Sequence, residues 1–299
     1  VCVKPIAAWQ SSAGGIFFYE DNRKDLVRRL DLPCGQCIEC RLNRSREWAI
    51  RCMHEASLYD KNSFVTLTYA PERSPPNGSL RHRDFQLFFK RLRRRLSRDA
   101  TRAIRFYMCG EYGPATLRPH FHALLFGYRP DDLVYYRKSR QGKLYTSAFL
   151  EEVWGNGFVT VGDVTFESAS YVSRYITDKI TGPERELAYG SYCDLETGEI
   201  VVRAPEYNQM SRRPGIGHSW LRLYWSEVFP SGTVVSRGRE VAPPKYYKKV
   251  ARHLSAFEDA SYSWHKHAQA RASDNTDDRL AVREKVLKAR LSLSKKDSI

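Results

Sequence analysis

The segment Arg118 to Gly127, RPHFHALLFG, constrains this chain most. Successive side chains of an extended strand point to opposite faces, so His120 and His122 share one face while Phe121 points to the other. Two imidazoles placed in this way can share one metal ion. A second segment, YVSRYITDK at Tyr171 to Lys179, has helical spacing. Tyr171, Tyr175 and Lys179 recur every four residues, which lines up two phenols and an ammonium along one stripe. A buried apolar face would not accept the ammonium, so the stripe reads as chemical in purpose.

Around these segments the pattern predicts alternating elements. FVTLTY at Phe64 to Tyr69 is β-branched and aromatic and ends at Pro71 and the turn-forming SPPNGS, which predicts a strand. Ile104 to Cys109 predicts a second strand, joined to the histidine strand by the connection GEYGPATLRPH, so the two should pair antiparallel. Glu111 lies nine residues before His120, and the turn can bring its carboxylate beside both imidazoles. Residues 129 to 146 are polar and basic and read as a loop. Ser147 to Trp154 predicts a short helix, Gly157 to Val164 a strand, and Ser168 to Ile180 the tyrosine helix. After Gly182 the sequence is irregular until SRRPGIG at Ser211 to Gly217, a basic loop suited to close approach by phosphate. Helices are predicted over His218 to Phe229, Lys245 to Ala270 and Asp278 to Leu293. The chain divides into a Cys-containing segment with a basic helix (1–62), a central unit (63–217) and a helical, basic C-terminal extension (218–299).

Charge narrows the partners. Lys and Arg number 49 against 34 Asp and Glu, a net charge of +15, so a polyanion is expected and nucleic acid is favoured over a membrane. No apolar run reaches the ~18 residues of a membrane span and no leading segment resembles a signal peptide, which predicts a soluble, intracellular protein. The predicted basic helices, Glu39 to Tyr59 and Leu80 to Leu96, are the first places to look for phosphate contact. Arg91, Arg93, Arg94 and Arg95 on the second of these, with Arg118, Arg174, Arg212 and Arg213, are the DNA-binding candidates. Seven cysteines in such a chain argue for thiols or metal ligands over disulfides. Cys34, Cys37 and Cys40 in PCGQCIECR, with Cys2, can make a four-thiolate structural zinc site, and ordinary reduced cysteines at a helix start are the alternative.

Two imidazoles and the Glu111 carboxylate, with positions left open, suit a divalent ion that also holds substrate oxygens. A phenol with an ordinary pKa near ~10 attacks poorly at neutral pH until something accepts its proton or stabilises its charge, a role open to metal and lysine together.

FVTLTY, a Glu nine residues before HFH, and YVSRYITDK resemble the three ordered motifs of HUH endonucleases, specifically the two-tyrosine rolling-circle initiators. PCGQCIECR, GEYG and SRRPGIG further resemble the replication initiators of gokushovirus-type microviruses. The resemblance implies an α+β, RRM/palm-like fold with a central antiparallel sheet and helices packed mainly on one face. It makes His120, His122 and Glu111 ligands of Mg or Mn, Tyr171 and Tyr175 nucleophiles and Lys179 their associated lysine. It implies nicking of single-stranded DNA at a viral replication origin, a 5′-phosphotyrosine link, a 3′-OH primer and later rejoining, in the cytoplasm of a bacterial host. The sequence holds no G-x-x-x-x-G-K-[ST] loop, so host helicase and DNA polymerase are the expected partners. Rival readings are a non-catalytic single-stranded DNA-binding protein, a metal-dependent hydrolase that activates water, and a plasmid initiator, relaxase or transposase of the same chemistry.

Overall fold

Alternation in the central strands leaves both faces of a sheet apolar, and helices cover both. The fold is taken from a computed structural model of the 299-residue chain, which describes residues 2–19, 25–96, 104–113, 116–139, 142–178, 191–193, 198, 200–229 and 231–296. The elements are β1 (Ile6–Ser11), β2 (Ile16–Phe17), β3 (Leu26–Leu32), α1 (Ile38–Ala56), β4 (Asn62–Tyr69), α2 (His82–Leu96), β5 (Arg105–Tyr112) and β6 (Pro119–Phe126). They continue with β7 (Val134–Ser139), β8 (Gly142–Thr146), α3 (Ala148–Trp154), β9 (Gly157–Gly162), α4 (Phe166–Asp178), β10 (Ser191–Cys193), β11 (Ile200–Val202) and β12 (Tyr207–Met210). The C-terminal region holds α5 (His218–Val228), β13 (Val234–Ser236), β14 (Arg239–Val241), α6 (Lys245–Ala251), α7 (Ser255–Ala270) and α8 (Asp277–Lys296).

Seven strands form one antiparallel sheet in the order β12-β5-β6-β4-β9-β8-β7. On one face Val65, Leu67, Met108, Phe121, Ala123 and Leu125 meet Phe85, Phe88 and Leu92 of α2 and Leu150, Val153 and Trp154 of α3. On the other face Phe64, Tyr107, Cys109, Leu124 and Phe126 meet Ala49, Cys52 and Ala56 of α1 and Ala169 and Val172 of α4. The expected antiparallel sheet and helical C-terminal region are present. The helices distribute over both faces, not mainly one, because each central strand is apolar on both sides. Gly157 (φ +145) lets β9 approach β4 closely; a Cβ there would lie 2.3 Å from the Ala70 nitrogen.

Local signals account for the element ends. Ser147 caps α3 by accepting from the Leu150 N–H, and Gly155 closes it in the left-handed conformation. Thr165 and Ser168 exchange side-chain to backbone hydrogen bonds at the start of α4, at 2.8 and 3.1 Å.

Three expectations are corrected. Residues 129–146 contain the hairpin β7–β8, whose first strand is exposed along almost its whole length and so carries no burial pattern. The irregular stretch before SRRPGIG contains β12, a polar strand (YNQM) at the edge of the main sheet. Lys245 to Ala270 is two helices, because a turn at residues 252–254 lets Tyr247 and Ala251 of α6 and Ala260 of α7 pack into one cluster with Ile50 of α1. The segment 1–62 also holds the three-stranded sheet β2-β1-β3.

Candidate active site

Strand register assembles the site. Glu111 on β5 pairs directly with His120 on β6, and Thr66 on β4 pairs with His122. Alternation then sets Glu111, His120, His122 and Thr66 on one face, the face covered by α1 and α4. Helix α4 reaches this point because small residues let it lie close to α1: the Ser45 and Ser173 hydroxyls are 3.0 Å apart, and the Ser45 Oγ donates to the Ser170 carbonyl at 3.1 Å.

The convergence point is one oxygen. Glu111 Oε1 lies 2.6 Å from His120 Nε2 and 2.9 Å from His122 Nε2, and it accepts a hydrogen bond from the Tyr171 hydroxyl at 3.1 Å. Glu111 is buried, and its Oε2 has no hydrogen-bond partner among the described residues. The far nitrogens of both rings are engaged. His120 Nδ1 lies 3.1 Å from the Arg118 carbonyl, which can only accept, so this nitrogen carries a hydrogen and the neutral ring presents the Nε2 lone pair to the centre. His122 Nδ1 lies 2.9 Å from the Thr66 hydroxyl, and His122 packs edge-on to Tyr171 with ring centroids 5.0 Å apart.

Electrostatics match this geometry. Burial pushes the Glu111 carboxyl up, but the hydrogen bonds from His120 and His122 overcome it and hold the group down to about 2. Burial also works against charging His120, yet the Glu111 carboxylate outweighs it and raises the imidazole. At His122 burial prevails and the pKa falls. A lone pair of His120 facing a carboxylate oxygen calls for a cation between them, either a proton or a metal ion. The donor set of two imidazole nitrogens and one carboxylate oxygen, all within 4.8 Å of one another, fits a divalent ion, and the orphaned Oε2 is a further donor.

The remaining expected residues are distributed as follows. Tyr175 stands one turn after Tyr171 on α4, but its side chain and that of Arg174 lie outside those described, as does Lys179 entirely. Arg91, Arg93, Arg94 and Arg95 sit on α2, across the sheet from Glu111. Arg91 donates to the Trp154 carbonyl, Arg93 to the Ile104 carbonyl and Arg95 to Glu152. Arg118 donates to the Tyr69 carbonyl next to the site, and Arg212 and Arg213 are exposed in the SRRPGIG loop. That loop is anchored by buried Glu55, whose Oε2 accepts from the Gly217 N–H at 2.7 Å, and by Arg105, which donates to the Pro214 carbonyl at 2.7 Å.

Two residues of the site lie outside the sequence-derived set. Thr66 was detectable, since FVTLTY places it on the histidine face of the neighbouring strand. Glu206, which accepts from the Tyr112 N–H at 3.1 Å and whose charge raises His120, follows only from the pairing of β12.

The four cysteines also meet. The sulfurs of Cys2, Cys34, Cys37 and Cys40 lie within 4.8 Å of one another, with Cys2 Sγ 3.5 Å from Cys34 Sγ and 3.6 Å from Cys37 Sγ. Tetrahedral thiolates around zinc stand about 3.8 Å apart. Backbone N–H groups of Cys34, Gln36 and Cys37 point at the sulfurs of Cys2 and Cys34 at 3.2 to 3.4 Å, which favours thiolate. Burial opposes ionisation of Cys37, but the backbone N–H groups of Cys40 and Val3, with the neighbouring thiols, hold it at about 6. The set fits a structural zinc ion.

Comparison with known proteins identifies the setting. The family model of the replication-associated protein ORF2 matches residues 62–180, a span that includes Glu111, both histidines, both tyrosines and Lys179. The chain is 36% identical over 253 residues to Replication-associated protein VP4 of Bdellovibrio phage phiMH2K, covering 83% of this chain and 76% of that protein. It is 35% identical over 250 residues to Replication-associated protein ORF2 of Spiroplasma virus 4, covering 80% and 72%. It is 29% identical over 236 residues to Replication-associated protein ORF4 of Chlamydia phage 1, covering 77% and 56%. No solved structure matches the chain. With these similarities over most of its length, the chain belongs to the phage replication-associated protein family, as a replication initiator of the microvirus type.

Proposed function

We propose that this initiator nicks single-stranded DNA at the viral origin by tyrosine attack and becomes covalently joined to the strand it cuts. The observation that carries the reading is the meeting of His120 Nε2, His122 Nε2 and the Tyr171 hydroxyl at Glu111 Oε1. Glu111 holds the hydroxyl hydrogen and leaves the lone pairs of the phenol oxygen turned away from the carboxylate. A Mg or Mn ion held by Glu111, His120 and His122 would withdraw charge from the oxygens of the scissile phosphate.

In the step proposed, the tyrosine oxygen forms a bond to phosphorus, the bond from phosphorus to the 3′ oxygen breaks, and the phenol proton leaves as the 3′ oxygen gains one. The products are a 5′-phosphotyrosine and a 3′-OH that primes synthesis. The phosphotyrosine keeps the free energy of the broken phosphodiester, so a later 3′-OH can reverse the step and rejoin the strand. Tyr175, one turn further along α4, supplies the second nucleophile while Tyr171 is occupied, and Lys179 stabilises the charge on the attacking oxygen. Residues 63–217 are the nicking domain, flanked by the zinc-binding segment 1–62 and the basic extension 218–299. Arg118, Arg174, Arg212, Arg213 and the α2 arginines contact phosphate. Unwinding and synthesis are left to host helicase and polymerase, in the bacterial cytoplasm. Among the described residues no helix is long and apolar enough to cross a membrane.

The test is incubation with labelled circular single-stranded DNA of the source replicon and Mg²⁺ or Mn²⁺, followed by a denaturing gel. Label is expected to migrate with protein. Free 5′-phosphate ends with no attached protein, or uncut DNA, would reject the proposal.

A further inference from the structure

A cavity of about 330 Å³ opens between α2 and the β5–β12 edge of the sheet, within the range of small-molecule sites (about 300–1,000 Å³). Its wall is aromatic: Phe89 and Phe106 lie with ring centroids 4.5 Å apart. Two primary amides, Gln86 and Gln209, face it from the helix and the edge strand, and each offers donors and an acceptor. Its cations are Lys90, which is exposed, and Arg93, whose guanidinium lies 4.3 Å from the Phe89 ring. No carboxylate lines it. The SRRPGIG loop begins two residues beyond Gln209 and is tied to the cavity wall, since the Ser211 N–H donates to the Phe106 carbonyl at 2.9 Å and the Phe106 N–H to Ser211 Oγ at 3.0 Å. Two basic segments far apart in sequence, α2 and the loop carrying Arg212 and Arg213, therefore meet at one aromatic cavity.

We propose that this cavity is a second nucleotide-binding site, which stacks one base on its phenylalanine wall, reads its edge with Gln86 and Gln209, and holds its phosphate with Lys90 and Arg93. Aromatic stacking with cations nearby is the general chemistry of single-strand recognition. The cavity is distinct from the tyrosine site: Phe106 and Glu111 are five residues apart on β5, about 17 Å, and alternate to opposite faces. Because β12 is the edge strand, a single strand leaving the tyrosine site reaches the cavity by rounding one strand. The inference rests on the DNA-handling function proposed above and assigns it a holding site outside the chemistry.

The same chemistry would take either a nucleotide within a strand or a free nucleotide. Binding is therefore measured on the full chain with EDTA present, where no cleavage occurs, by fluorescence anisotropy of a labelled oligonucleotide of about 16 nucleotides and, separately, of a fluorescent deoxynucleoside triphosphate. Gln86→Trp, which blocks the opening, and Lys90→Glu are each expected to weaken the probe that occupies the site about tenfold, the loss of one stacked base. Loss confined to the oligonucleotide identifies a strand nucleotide; loss of triphosphate binding identifies a free one. Lys143→Glu on β8 makes the same charge change at the opposite side of the sheet and is expected to alter affinity far less. Photocrosslinking of an iododeoxyuridine oligonucleotide to wild-type protein should label the peptide carrying Phe89 or Phe106, a readout that does not depend on how the variants fold. Wild-type affinity of both cavity variants for both probes, an equal loss in Lys143→Glu, or crosslinks confined to other peptides would overturn the proposal. Any of these leaves adduct formation at Tyr171 untouched, so the two proposals fail separately.

Discussion

Thr66 aims His122. Its hydroxyl 2.9 Å from Nδ1 fixes the ring so that Nε2 faces Glu111, and partners of this kind typically contribute about 10- to 100-fold in metal affinity. Thr66→Val keeps the shape and removes the hydroxyl, so Mn²⁺ affinity measured calorimetrically should fall by about that factor, with Thr66→Ser close to wild type. Unchanged affinity in Thr66→Val would remove Thr66 from the site. Replacing both histidines, His120→Ala with His122→Ala, should abolish cleavage and leave DNA binding largely intact, because affinity comes from many dispersed phosphate contacts. Full cleavage by that double variant would end the metal-site proposal. The histidines, Glu111 and Tyr171 were legible because their chemistry coincides with strand and helix periods. Glu206 was not, because its place depends on the pairing of a four-residue edge strand.

At the scale of elements, α1 is the joint of the molecule. Ala49 and Cys52 face the sheet, Ile50 and His54 face the C-terminal helices, and Cys37 and Cys40 stand at its start. His54 stacks on Trp220 with centroids 3.5 Å apart, its Nδ1 lies 3.0 Å from the Tyr247 hydroxyl, and burial lowers its pKa to about 4. The unfolded chain takes up this proton near pH ~6.5 and the folded chain only near 4, so the stability is complete above pH ~6.5 and declines as pH falls toward 4. Between about pH 7 and about pH 5 the loss from this group is about 2 kcal/mol. His54→Phe keeps the stacking and cannot titrate, so urea unfolding should show it losing about 2 kcal/mol less than wild type over that interval. Equal losses would contradict the assignment. The start of α1 carries its own prediction: protein purified without chelators should hold zinc bound by Cys2, Cys34, Cys37 and Cys40. Zinc near zero by elemental analysis, with the thiols freely modified and the fold unchanged, would remove it. Most elements were readable where one face is buried, as in α3 with its Ser147 cap. The β7–β8 hairpin was missed because Val134, Tyr135 and Tyr136 are all exposed and give no period to read.

For the whole molecule, the net charge of +15 is spread over both faces of the sheet, with the α2 arginines on one side and Arg118 beside the tyrosine site on the other. Neutralising about six phosphates of a single strand would make affinity fall about 300-fold for a fourfold rise in salt, and an anisotropy titration measures that slope. A nearly flat response would mean that dispersed cations are not the binding surface. The central claim is covalent, and two tyrosines on one helix give it a direct test. Wild type, Tyr171→Phe, Tyr175→Phe and the double variant are each incubated with a short labelled single-stranded substrate and divalent metal, then denatured and scored for label on protein. Each single variant should still form an adduct, because the other phenol remains within reach, while rolling-circle turnover suffers in both. The double variant should bind metal and DNA but carry no label, since Phe preserves packing and removes only the oxygen. Label on the Tyr171→Phe/Tyr175→Phe protein would contradict the mechanism.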